Sequence, residues 1–116
     1  MAEDLKQRTK EFAIRIIRLY AVLPKTTELQ VIGKQFLRSG TSVGAHYRES
    51  QFAKSDADFI SKIEGGLQEL EETAYWLELL DEMQLFNSEL LKPIREETGE
   101  LTAIFVTIVK KVKSRR

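Results

Sequence analysis

The run from Gln35 to Glu49, QFLRSGTSVGAHYRE, restricts the possible folds more than any other part of the chain, because it joins helical periodicity to residues that resist an isolated helix. Arg38, Ser42, Ala45 and Glu49 step by four, three and four, so they share one helical face. Asp58, Lys62, Gly65, Glu69, Glu72 and Trp76 repeat the pattern further on. A turn near Ala53 and Lys54 folds the two helices back on each other, and antiparallel partners then have residue numbers summing to about 107. That register predicts a polar seam with Arg38 by Glu69, Ser42 by Gly65, Ala45 by Lys62 and Glu49 by Asp58.

Propensity alone makes Ser39 to Ala45 a loop, since each interior glycine costs about 1 kcal/mol relative to alanine. Against this, the apolar stripe Leu29, Ile32, Phe36, Val43 and Tyr47 crosses the segment unbroken. Gly33, Gly40 and Gly44 also fall near one side, where a second helix can come close. The spacing therefore predicts one helix from a capping box at Thr27-Glu-Leu-Gln30 to about Gln51. The same reasoning sets Ser42 and Gly44 opposite Gly65-Gly66.

Three further helices follow. The first runs from about Asp4 to Leu23, ahead of Pro24, with Leu5, Phe12, Ile16, Leu19 and Leu23 inward and Arg8, Glu11, Arg15 and Arg18 outward. The third is capped at Ser55-Asp-Ala-Asp58 and carries the seam Ile60, Ile63, Leu67, Leu70, Ala74 and Leu77, with Trp76, Leu79, Met83 and Phe86 as a second stripe. Asn87 or Ser88 caps the fourth, with Pro93 near its start and Leu91, Ile94, Thr98, Leu101, Phe105, Ile108 and Val112 as its seam. Ala103, Ile104, Val106 and Val109 make residues 101–109 apolar nearly all round, more than one bundle core covers. The expected fold is all-α, a single up-and-down four-helix bundle over residues 1–116. Its surplus apolar surface, at Trp76, Met83, Ile104 and Val109, is expected to be buried between copies of the chain.

With 116 residues and no cysteine, the chain has room for one domain and for no disulfide or thiolate metal site. No apolar run approaches the length that spans a bilayer, and the start is charged, so a cytoplasmic protein without a membrane partner is expected. His46 is the only histidine, and no Glu-x-x-His pair, phosphate loop or nucleophile elbow occurs. No enzyme activity, metal or cofactor is therefore expected. The acidic residues of the third helix read as a solvated face or as ion-pair partners.

Net charge is zero, but it is unevenly distributed. Residues 1–48 hold nine Lys/Arg and four Asp/Glu, residues 49–100 four and fourteen, and residues 101–116 five and none. Side by side in a bundle, such blocks attract one another, which is one reading; the other is that the basic ends bind a partner. Arg8, Arg15 and Arg18, with Lys110, Lys111, Lys113, Arg115 and Arg116, are the candidate nucleic-acid contacts. The cations of the last turn equally satisfy the helix dipole.

Leu37-Arg-Ser-Gly-Thr-Ser-Val-Gly-Ala45, Tyr47-Arg-Glu49, Asp58-Phe-Ile-Ser-Lys62, Glu69-Leu-Glu-Glu-Thr73 and Tyr75-Trp-Leu-Glu-Leu-Leu80 are similar to a bacterial family first noticed as reading frames in intervening sequences of 23S ribosomal RNA genes. The resemblance covers about residues 5–112. Its motif is an Arg-x-x-x-Ser followed by an Ala-Asn-x-x-Glu type segment, and His46 stands here at the asparagine position. The resemblance implies an up-and-down four-helix bundle assembled as a homopentamer. It also implies kinship with accessory proteins of diversity-generating retroelements, which bind nucleic acid and a reverse transcriptase. Arg38, Ser42, Glu49, Lys62 and Glu69 match the family's recurring polar positions. The function expected is an oligomeric, non-enzymatic adaptor in contact with RNA or an RNA-bound protein. A purely structural or protein-interaction oligomer with no nucleic-acid partner is the alternative.

Overall fold

A computed structural model describes residues 2–115, with side chains from Leu5 onward, as α1 (Ala2–Ala21), α2 (Thr27–Ser50), α3 (Asp56–Glu82) and α4 (Ser88–Ser114). Each helix runs antiparallel to the one before it, giving a rod of 48 × 23 × 21 Å. The turns α1–α2 and α3–α4 lie at one end, and the turn α2–α3 lies at the other with the end of α4. Helix α2 packs broadly on α1 and α3, and α3 on α4, whereas α1 and α4 meet sparingly.

The helix boundaries follow from local chemistry. Helix α1 unwinds ahead of Pro24, as the amides of Val22 and Leu23 bond the carbonyls of Leu19 and Tyr20. Helix α2 starts one residue earlier than the capping box predicts. Thr26, in extended conformation, is the cap, and its hydroxyl accepts from the Leu29 amide at 3.3 Å. Leu29 therefore occupies the third helical position, where a glutamine would be needed to bond back. At α3 the reciprocal device is present. Ser55 accepts from the Asp58 amide at 3.0 Å, and the Asp58 carboxylate accepts from the Lys54 amide at 3.2 Å. Asn87 caps α4 through the Glu89 amide at 2.9 Å, and the helix continues through Pro93 in its second turn.

Helix α2 runs unbroken through Ser39 to Ala45, and the packing explains why it tolerates the glycines there. A Cβ on Gly40 would lie 2.6 Å from Cγ1 of Ile16, and one on Gly33 would lie 2.9 Å from Cδ1 of Leu23. The small side of α2 thus faces α1 and brings the two backbones together. Gly65 and Gly66 do not face Ser42 and Gly44. Gly65 makes room for the His46 ring, 2.8 Å from where its Cβ would be, and Gly66 for Phe105 of α4, at 2.6 Å.

The α2–α3 register also differs from expectation. Ser39 meets Thr73 at 2.8 Å, and Glu49 meets Lys62 at 3.6 Å, so partners sum to about four more than predicted, one helical turn. The pairings Ala45–Lys62 and Glu49–Asp58 are therefore replaced. Arg38 still reaches Glu69 because its side chain is long enough to span the slip.

The core is formed by Phe12, Ile16, Phe36, Val43, Ile63, Leu70, Leu77, Leu80, Leu91, Leu101 and Phe105, all at most 1 % exposed. On α4 the stripe is shifted near its end: Val109, expected between copies, is only 7 % exposed within the protomer, and Ile108 takes the half-buried place. Ile104 and Trp76 are half-buried against the core, and of the four expected interface residues only Met83, at 41 %, is exposed.

Gly40→Ala should lower stability by up to about 2 kcal/mol, because overpacking costs about 1–3 kcal/mol and propensity returns only about 1 kcal/mol. Gly99, also helical, has nothing within 4 Å of its Cβ position. Gly99→Ala should therefore raise stability by about 1 kcal/mol, or about 4 °C in Tm. Thermal melts of the two variants moving in the same direction would contradict this assignment of the close approach.

Candidate functional site

The polar seam between α2 and α3 is present. Arg38 Nη1 lies 3.2 Å from Glu69 Oε1, and its Nη2 lies 2.5 Å from Glu72 Oε1. The Glu69 charge, foremost, raises the Arg38 pKa. Ser42 takes no part across the seam, since its hydroxyl donates to the Arg38 carbonyl at 2.6 Å within α2. Between Arg38 and the Glu49–Lys62 pair lies His46, with Nε2 3.8 Å from Glu69 Oε2 and a buried Nδ1 that has no hydrogen-bond partner. The Arg38 side chain is 49 % exposed, so the seam is solvent-screened and is not the buried pair implied by helix-to-helix packing.

Beneath the seam is a link that spacing did not reveal. Ser39 and Thr73 are both fully buried and join α2 to α3. Each hydroxyl also reaches a carbonyl of its own helix, Thr73 that of Glu69 at 2.8 Å and Ser39 that of Phe36 at 3.3 Å, and either can donate to the other. The signal was a hydroxyl residue on each buried stripe, outranked in the sequence by the charged residues beside it. These groups hold two helices together. Among the described residues, no three His, Asp or Glu gather as metal ligands.

The candidate nucleic-acid contacts divide into two groups. Arg8 is committed within the bundle, with Nε 3.0 Å and Nη2 2.6 Å from the two carboxylate oxygens of Glu97 and Nη2 3.1 Å from Glu100. These hydrogen bonds, Glu97 first, push its pKa above the usual arginine value. Arg15 is half-buried and Arg18 exposed, and neither forms an ion pair among the described residues. At the end of α4, Lys113 lies 3.5 Å from Glu64 and Arg115 3.7 Å from Asp56, with all four side chains more than half exposed. Lys110 and Lys111 are exposed and have no ion pair among the described residues, and Arg116 lies outside those residues.

Arg48 and Lys54, at the α2–α3 turn, share this end of the rod with the cations of α4. An open pocket of about 480 Å³ lies there, lined among others by Gln51, Lys54, Ser55, Asp56, Val112 and Arg115. The other half of the rod carries exposed apolar side chains at Val22, Val31, Tyr75, Met83, Leu85 and Leu90. The exposed apolar side chains are thus concentrated in one half of the rod, away from the cations that end α4.

A family model described as 23S rRNA-intervening sequence protein matches residues 3–107. The chain is also similar to a crystal structure of a protein with unknown function from the S23 ribosomal protein family of Bacteroides thetaiotaomicron VPI-5482. The two share 40 % identity and a TM-score of 0.87, over 94 % of this chain and 97 % of that one. No curated protein matches the chain.

The two kinds of ion pair should differ in a double-mutant cycle. Coupling between Arg8→Ala and Glu97→Ala should exceed about 1 kcal/mol, because the pair is bidentate and partly buried. Coupling between Lys113→Ala and Glu64→Ala should stay below about 0.5 kcal/mol. Equal couplings from urea melts would show that burial does not separate them.

Proposed function

Because the chain belongs to the 23S rRNA-intervening sequence protein family, and because the exposed cations of α4 lie at the end of the rod away from its exposed apolar side chains, we propose that it is a non-enzymatic adaptor that binds RNA through that end of the bundle and self-associates through the other. The observation that carries this reading is the difference in how the cations are held. Arg8 would have to break a bidentate pair to reach a phosphate, whereas Lys110 and Lys111 are free of ion pairs among the described residues. Lys113 and Arg115 give up only exposed pairs, each worth about 0–1 kcal/mol. Binding of this kind is electrostatic and nearly blind to sequence.

Self-association would strengthen such binding. One basic end is a small patch, but a ring repeats it, and a flexible strand touching several copies turns a weak contact into an avid one. Resemblance to the family favours a homopentamer. Tyr75, Met83, Leu85 and Leu90 supply exposed apolar surface away from the basic end. The same surface favours a second reading, a protein-interaction oligomer that binds no nucleic acid. No helix among the described residues is long and apolar enough to cross a membrane.

Light scattering should find an oligomer at micromolar concentration, and a monomer would remove the ring. In mobility-shift titrations, log affinity for single-stranded RNA should fall against log salt with a slope of about 0.7 per phosphate contacted. Deleting Lys113 to Arg116 should flatten that slope. Unchanged migration of both single-stranded and structured RNA at low salt, with the oligomer intact, would favour the protein-interaction reading.

A further inference from the structure

The outer side of the α1–α2 pair is a groove with cations toward its ends and apolar residues in its middle. Lys10, Ala13, Ile17 and Tyr20 step by three, four and three on α1, so they share a face, and the Tyr20 ring at the end of that face lies against Gly33 of α2. Lys34, Leu37, Thr41, Gly44 and Arg48 share a face of α2 by the same spacing, and Gly44 packs on Thr9 of α1. The two stripes therefore flank the α1–α2 contact. Neither contains a carboxylate. Lys10, Lys34 and Arg48 are exposed and form no ion pair among the described residues, and Ile17 between them is 48 % exposed.

Helix α3 carries the complementary pattern. Glu71, Tyr75, Glu78 and Glu82 step by four, three and four, so they too share a face. The three carboxylates are exposed without ion pairs among the described residues, and Tyr75 is 52 % exposed. Within one protomer the groove and this stripe do not meet, because the groove lies along α1, and α1 makes no contact with α3. They nevertheless lie at matching heights along the rod. The Ser39–Thr73 contact sets Leu37 level with Tyr75, Lys34 with Glu78 and Thr41 with Glu71. On the α1 side, Thr9 against Gly44 and Ile16 against Gly40 set Lys10 within a turn of Thr41 and Ile17 within a turn of Leu37. Equal heights are what rotation about an axis parallel to the rods requires of two contacting faces.

We infer that the α3 stripe of one copy of the chain lies in the α1–α2 groove of the next, with Tyr75 over Ile17 and Leu37, Glu78 against Lys34 and Glu71 against Lys10. The inference rests on the self-association in the reading above. It adds that the contact joins two different faces, so that it propagates from copy to copy and does not close a twofold dimer. The middle of the groove decides between a protein and a nucleic-acid occupant. Ala13, Ile17 and Leu37 offer a phosphate chain neither charge nor donor, whereas they remove an aromatic ring from water. The opposite charges on either side then fix the register.

Two full-length variants test this by light scattering at the micromolar concentration where the wild type is expected to assemble. Lys10→Glu/Lys34→Glu spoils the groove and leaves the stripe intact, while Tyr75→Asp spoils the stripe and leaves the groove intact. Each alone should be a monomer with the helical circular dichroism of the wild type, since all three side chains are exposed. Mixed in equal amounts, the two should form a dimer and nothing larger, because only one groove and one stripe in each pair remain able to join. If both variants assemble as the wild type does, the contact is overturned while self-association stands. A mixture that stays monomeric overturns the joining of two different faces. If Lys10→Glu/Lys34→Glu assembles but no longer retards single-stranded RNA, the groove belongs to nucleic acid and the contact is overturned in that way. If the wild type is itself a monomer, the contact and the self-association fall together.

Discussion

The bundle depends on how closely α2 lies against α1. Gly33, Gly40 and Gly44 remove side chains from one side of α2, and Leu23, Ile16 and Thr9 occupy the space. The opposite side of α2 carries the α3 contact, with Ser39 on Thr73 in the core and Arg38 on Glu69 at the surface. One helix therefore serves as a two-sided centre, with a smooth face for close packing and a patterned face for register. The arrangement leaves α1 and α4 with little shared surface. Arg8, clamped on Glu97 and Glu100, is the tie across that weakest side, which explains a strong ion pair at a position where packing contributes least.

The fold was legible because each apolar stripe kept its helical period, including across Ser39 to Ala45, where local propensity pointed the other way. Period is less informative about register, since a slip of one turn leaves every face where it was. For that reason the expected register sets Glu49 by Asp58 where the fold sets it by Lys62, whereas the long Arg38 side chain meets Glu69 across the slip. The cap at Thr26 in place of Thr27 is the same ambiguity at shorter range, two adjacent hydroxyls with one geometry between them. On α4, the adjacent Ile108 and Val109 both lie three or four residues from Phe105 and from Val112, so spacing alone could not say which one faces in.

Of the candidate site, the sequence showed the residues but not their state. Arg8 and Lys113 belong to equally basic blocks, and both meet carboxylates in the fold. Their consequences differ because Glu97 is 17 % exposed and Glu64 is 51 %. A partly desolvated bidentate pair resists exchange for a phosphate, whereas a water-exposed contact at 3.5 Å hardly does.

The segregation of surface along the rod constrains what assembly could do. In a cyclic ring whose protomers stand with their long axes along the symmetry axis, the α4 cations and the α2–α3 turns of all copies would gather on one face. A dihedral assembly would divide them between two opposed faces and halve the number a single strand could touch. Avidity for one strand would therefore require such a ring, with contacts made by the half of the rod that carries Tyr75, Met83 and Leu90.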